Sequence, residues 1–159
     1  MIRVATLADY PQLVPEVVEI AWEEWGAEHA DDPRERWLRD AERDSRLHLP
    51  TSAGFVAIDG ERAVGTVQLH EFEIDAIRDR SPWVCGMVVR PQYRGGGVGR
   101  RLLTALEQFA AGHGVSRLWV FTENAENAAG FYERCGWQRY GEAVEDGEPG
   151  VVLTRVVSG

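Results

Sequence analysis

Between Arg90 and Arg101 the chain reads RPQYRGGGVGRR, with four arginines, four glycines and no acid. The 159-residue chain as a whole carries a formal net charge of −9, so this stretch inverts the local sign. Before it lies an apolar run, Trp83 to Val89, bounded by Pro82 and Pro91. After it Val98, Leu102, Leu103, Leu106, Phe109 and Ala110 recur at helical spacing, with Gly112 and Gly114 closing the segment. A buried strand, a glycine turn and an amphipathic helix are therefore expected in succession. At such a junction free backbone N–H groups and the helix dipole favour an anion. Gly95, Gly96, Gly97 and Gly99, around Val98, would let a phosphate come close to those amides. The competing reading is an ordinary glycine turn with solvated arginines.

The phosphates of a nicotinamide dinucleotide do not fit. Counting G-x-G-x-x-G from Gly95 through Gly97 lands on Arg100, and no acid follows about 20 residues on in a strand to hold a ribose. All 17 basic residues are arginine, which removes a Walker lysine, a Schiff-base lysine and pyridoxal chemistry. The negative charge disfavours nucleic acid and anionic membrane, since neutralising phosphates needs basic surface.

Outward from this unit, Ile2 to Thr6 reads as a strand, and Asp9 with Gln12 as a capping box for a helix that buries Leu13, Val14, Val17, Val18 and Ala21. Gly26 to Asp31 reads as a polar loop. Asp32, Pro33 and Glu35 supply the N-cap, first-turn proline and N3 acid of a second helix ending near Leu47. Ala53 to Ile58 and Ala63 to Leu69 flank Asp59-Gly60, a hairpin signal. Arg117 to Thr122, Trp137 to Val144 and Gly150 to Val157 read as further strands, with a short helix from Glu126 to Cys135 stopped by Gly136. Helices crossing between strands predict one α+β or α/β sheet domain over residues 1–159. With 44% apolar residues it needs no staples.

Two motifs carry a resemblance. Arg94-x-x-Gly97-x-Gly99 after Met87-Val88-Val89, and FYERCGW from Phe131 to Trp137, together resemble the GNAT family of N-acetyltransferases. Ser81-Pro82-Trp83 and Trp22-Glu23-Glu24-Trp25 are similar to a bacterial branch of that family. The resemblance implies a mixed, mostly antiparallel sheet of about six to seven strands flanked by about four helices. It also implies a splay between the fourth and fifth strands, here Trp83 to Val89 and Arg117 to Thr122.

It further implies acetyl-CoA as co-substrate, with no metal. The amides of Gly95 to Arg100 would bind the pyrophosphate, and backbone groups of Met87, Val88 and Val89 the pantetheine arm. Arg94, Arg100 and Arg101 would make outer phosphate contacts. Tyr132 would be the general acid that protonates the departing thiolate, because a phenol with a pKa of about 10 keeps its proton at neutral pH. The competing role for Tyr132 is packing, the one assigned to Phe131. Ala125 stands where the family usually has an asparagine, leaving Asn124 or Asn127 to reach the coenzyme or cap the helix.

The amine needs a base, since an ammonium has no lone pair. His70, Glu71, Glu73 and Glu123 lie at strand ends near the expected cleft, and Glu71 is the first choice. Trp25, Trp83 and His70 are candidates for an acceptor pocket, and Glu23, Glu24 and Glu28 for attracting a cation. Cys85 and Cys135 sit in apolar stretches without a CxxC or a Cys/His cluster, so buried, reduced thiols are expected rather than nucleophiles, a disulfide or a metal site. The expected reaction is direct attack of a bound primary amine, on a small molecule, peptide or protein, in a ternary complex. A non-catalytic acyl-CoA binding or sensing module is the alternative. No apolar run approaches the 18 or so residues of a membrane span, and Met1 to Tyr10 lacks a signal-peptide core, so a cytoplasmic protein is expected. Exposed tryptophan would permit a homodimer.

Overall fold

The computed structural model describes residues 1–29, 31–75, 77–123 and 126–157. Its strands are β1 (Ile2–Thr6), β2 (His48–Leu49), β3 (Ser52–Asp59), β4 (Arg62–His70), β5 (Trp83–Val89), β6 (Arg117–Thr122), β7 (Gln138–Glu145) and β8 (Glu148–Val156). Its α-helices are α1 (Val14–Trp25), α2 (Arg34–Asp44), α3 (Val98–Gly112) and α4 (Asn127–Arg134). The strands form one sheet in the order β1-β3-β4-β5-β6-β8-β7, with the two-residue β2 attached to β3. Seven strands match the expected ones; β2 is too short to carry a period of its own.

Every neighbouring pair is antiparallel except β5 and β6. That parallel pair is joined only through Trp83 with Trp119 and Val84 with Val120. Beyond Val84 the two strands part, as the resemblance implied. On its other edge β5 carries a bulge: Gly86 and Met87 lie opposite Val67, and Gly86 adopts φ +63°. The left-handed conformation is one that glycine reaches without steric cost, and the extra residue bends the strand.

Helices cover both faces. α3 contributes Val98, Leu102, Leu103, Leu106 and Ala110 to a core with Phe55, Val67, Leu69, Val84, Leu118 and Leu153, joined by Tyr132 of α4 and Trp137. Phe109 packs at its margin. Leu106 is fully buried, so its truncation to alanine would cost about 2–5 kcal/mol. On the opposite face α1 places Val14, Val17, Val18 and Ile20 against Val56, Ile58, Ala63 and Val88. Ala21, expected on that inward side, is only half-buried.

The start of α1 differs from the capping box expected there. Two 3₁₀ turns, Leu7–Asp9 and Pro11–Leu13, precede the helix, and Asp9 accepts a hydrogen bond from the Thr6 hydroxyl at 3.1 Å. Pro11 and Pro15 carry no N–H, which suits a stepped entry better than one continuous helix. The segment Gly26–His29 is a 3₁₀ turn rather than an open loop. α2 starts behind Pro33 and ends at Asp44, three residues before the expected Leu47. Asp32 does not cap it; its carboxylate accepts from Arg36 Nη1 at 3.3 Å and Trp37 Nε1 at 2.8 Å. The indole and guanidinium compete for the oxygens that a cap would use.

Candidate active site

The α3 end of the parting strands supplies anion-binding backbone. Gly97 caps α3 at φ +84°, and Gly95 stands at φ +83°. The helical ladder begins with Arg101 N donating to Gly97 O at 3.1 Å, so the amides of Val98, Gly99 and Arg100 precede the first intrahelical bond. A Cβ on Gly95 or Gly97 would meet no atom within 4 Å, and one on Gly96 only Tyr93 O at 3.9 Å. The space beside these three glycines is therefore open, and free amides at a helix start are chemically suited to an anion such as a phosphate.

The flanking arginines are already engaged. Arg94 donates from Nε to Val89 O at 2.8 Å and from Nη2 to Glu24 at 3.0 Å. Arg90 donates to Ala63 O at 3.1 Å and lies 3.6 Å from Glu23. Glu23 and Glu24, read from sequence as attractors of a cationic acceptor, thus tie α1 to the glycine turn. Arg100 donates to Arg134 O at 3.0 Å, linking the first turn of α3 to the last of α4, while Arg101 is exposed.

Met87, Val88 and Val89 occupy the part of β5 that has left β6. Val88 and Val89 pair with Thr66 and Gly65 of β4 on the other edge. Tyr132 is buried at 5% exposure, edge-on to Phe131 and Trp137 at 5.2 and 5.3 Å between ring centroids. Burial drives its pKa well above the usual phenol value, and the charges of Cys85, Cys135 and Glu73 add to the effect. The phenol is therefore held protonated across the physiological range.

Those neighbours bring in residues from the other end of the gap. Glu73, in the segment after β4, brings a carboxylate oxygen within 4.8 Å of the Cys85 sulfur. Although Glu73 is exposed at the surface, the protein packed around its carboxyl group displaces water from it and raises its pKa; the Cys85 thiol opposes this and the charge of Glu145 adds to it. Cys85 is raised well above the ordinary thiol value, first by burial and then by Glu73. A thiol so placed is a poor nucleophile. Glu145 in turn accepts from Asp75 N at 3.0 Å, which anchors the segment after β4 to the last hairpin.

His70 ends β4 and is paired with Trp83. Burial lowers its pKa, with the charge of Asp44 opposing. His70 and Glu71 line a cavity of ≈ 260 Å³ together with Asp44, Gln68 and Phe72. Glu71 and Glu123 are exposed. Trp83 is fully buried, its indole donating to Arg80 O at 2.8 Å, so it is core rather than pocket lining. Trp25 is half-buried against the α1 cluster, and none of the six tryptophans is exposed. Asn127 opens α4 behind Glu126, which makes no side-chain capping bond. Asn124 and Ala125 lie outside the described residues, as does the side chain of Glu28.

The model of the acetyltransferase (GNAT) family matches residues 14–137. The chain belongs to that family. No curated protein matches its sequence. Among solved structures it is similar to an aminoglycoside 6'-acetyltransferase type Ii, with a TM-score of 0.77 and 18% identity, covering 100% of this chain and 98% of that one. An aminoglycoside 6'-N-acetyltransferase complexed with coenzyme A gives 0.76 at 16% identity, over 99% and 98%. An acetyltransferase from Streptococcus agalactiae gives 0.71 at 18%, over 98% of each chain. At these identities the likeness establishes the fold. Family membership makes the chain an acetyl-CoA-dependent acyltransferase, and no helix among the described residues is long and apolar enough to cross a membrane.

Proposed function

We propose that this acetyltransferase acetylates a primary amine by direct attack in a ternary complex, with Glu73 as base and Tyr132 as acid. The supporting observation is the convergence of Glu73, Cys85 and Tyr132 where β5 and β6 separate, close enough for the first two to raise the pKa of the third. When bound, acetyl-CoA supplies the activated acetyl group as a thioester. The amides from Gly95 to Arg100 hold its pyrophosphate, and the unpaired edge of β5 at Met87 to Val89 orients its arm.

Glu73 takes the amine proton. A carboxylate raised above its ordinary value is a stronger base and loses less driving force in that transfer. Glu71, the choice from sequence, and Glu73 are both exposed, and what favours Glu73 is its carboxylate within 4.8 Å of the Cys85 sulfur on β5. Tyr132 keeps its proton for the departing sulfur. Because Cys85 is held as a neutral thiol, a covalent acetyl-cysteine route has no activated nucleophile, which favours direct attack.

The test is calorimetric titration with acetyl-CoA followed by thiol release over a panel of amines. Gly96→Glu is the informative variant: Gly96 is not in the left-handed region, so it introduces charge and bulk without the backbone strain expected at Gly95 or Gly97. Micromolar binding lost in Gly96→Glu, with turnover lost in Glu73→Gln, is the expected result. Coenzyme binding with no acetyl transfer to any amine would favour a sensing module instead.

A further inference from the structure

His70, Glu73 and Cys85 present one imidazole nitrogen, one carboxylate oxygen and one sulfur, all within 4.8 Å of one another. No short sequence motif joins them: the imidazole ends β4, the carboxylate lies three residues on, and the thiol comes from the neighbouring strand. We propose that these three side chains form a binding site for a thiophilic divalent cation, zinc, at the mouth of the β5–β6 gap.

Nitrogen, oxygen and thiolate are the donors that zinc takes, at about 2.0–2.3 Å each in tetrahedral geometry. Ligand atoms around such an ion stand roughly 3.3–3.8 Å apart, so the present spacing closes by small side-chain rotations. Glu73 is free to make them because its segment is neither helix nor strand. The charges balance as well: a carboxylate and a thiolate neutralise the dication, and the imidazole binds neutral. Binding forms the zinc–sulfur bond and releases the thiol proton to solvent.

Two surrounding features suit a metal. Asp44 is near enough to His70 for its negative charge to act on the ring, and a negative charge there favours a bound cation. The cavity lined by Asp44, Gln68, His70 and Glu71 offers an entry path to that ring. Three protein ligands leave a fourth position open, and occupation ties up Glu73, so zinc inhibits acetyl transfer. This consequence rests on the role of Glu73 given above; the site itself does not.

Cobalt(II) reports the site directly, through near-ultraviolet absorption of a cobalt–thiolate bond and its loss on adding zinc. One equivalent is expected in the wild type and in Cys135→Ala. The absorption should vanish in Cys85→Ala and cobalt affinity should fall in His70→Ala, with circular dichroism recording the fold of each. No thiolate absorption in the wild type, or absorption that persists in Cys85→Ala, would overturn the site. If Glu73→Gln loses turnover while the wild type binds no cobalt, the catalytic reading stands and the metal site falls; if cobalt binds as described but Glu73→Gln turns over normally, the reverse holds.

Discussion

The two ends of the β5–β6 gap are built differently. At the α3 end the proposed binding groups are backbone amides, positioned by left-handed glycines at 95 and 97 and by a helix whose buried leucines hold it to the sheet. At the other end the proposed groups are side chains from three separated segments, Glu73, Cys85 and Tyr132; Glu73 and Cys85 act on each other and both act on Tyr132. A backbone site survives exchange of its side chains provided the turn keeps its shape. A side-chain site depends on each member and on the hydrogen bonds and charges around it.

That difference predicts where substitution hurts most. Glu73→Gln keeps the shape and removes the base, so turnover should fall about 10²–10⁴-fold with little change in acetyl-CoA affinity. Equal loss of affinity and turnover would instead mean that Glu73 holds the coenzyme. Tyr132→Phe removes only the hydroxyl. A loss of about 100-fold in turnover is expected, whereas near-normal rates would reduce the tyrosine to packing. Gly96→Glu should do the converse, weakening acetyl-CoA at least about tenfold while leaving the thermal transition nearly unchanged.

pH profiles probe the coupling within the side-chain end. Glu73 must be ionised to accept a proton, and its pKa is raised, so the acid limb of kcat/KM should lie above the ordinary carboxylate value of about 4.3. Activity is lost as pH falls through that raised value. Glu145→Gln removes a charge that raises it and should move the limb to lower pH; Cys85→Ala removes a hydrogen bond that lowers it and should move the limb higher. Shifts of the same sign in both variants would break the proposed network.

The smallest effect belongs to α2, which buries no residue fully. Asp32→Ala removes the acceptor of Arg36 and Trp37 and should cost about 1 kcal/mol, read from chemical denaturation. The helix contributes its half-buried Trp37, Leu38 and Ala41 to the α1 cluster, so its loosening should leave coenzyme affinity alone.

The difference between the two ends also marks what could be read from residues alone. Apolar spacing from Val98 to Ala110, the glycines from 95 to 99 and the Asp59-Gly60 turn are local signals, because a helix stripe, a left-handed turn and a hairpin are each decided within a few residues. They were enough to place β5, α3 and the glycine turn between them. Even there, the engagement of Arg94 with Val89 O and Glu24 was not legible, since Glu24 lies on α1, far back in the chain.

The base was not legible for the same reason. Glu71 and Glu73 are two acids two positions apart in an irregular segment, and nothing in their spacing separates them. Both are exposed, and what separates them is the company that folding supplies to Glu73: the Cys85 thiol from β5 and the charge of Glu145 from the far hairpin. By itself the amino-acid sequence determined the order of elements and the glycine turn that opens α3, because those follow from short-range sterics and hydrophobic periodicity. Only the tertiary structure decided which carboxylate, which thiol and which imidazole meet, because pKa and ligation depend on distances between groups that the chain holds far apart.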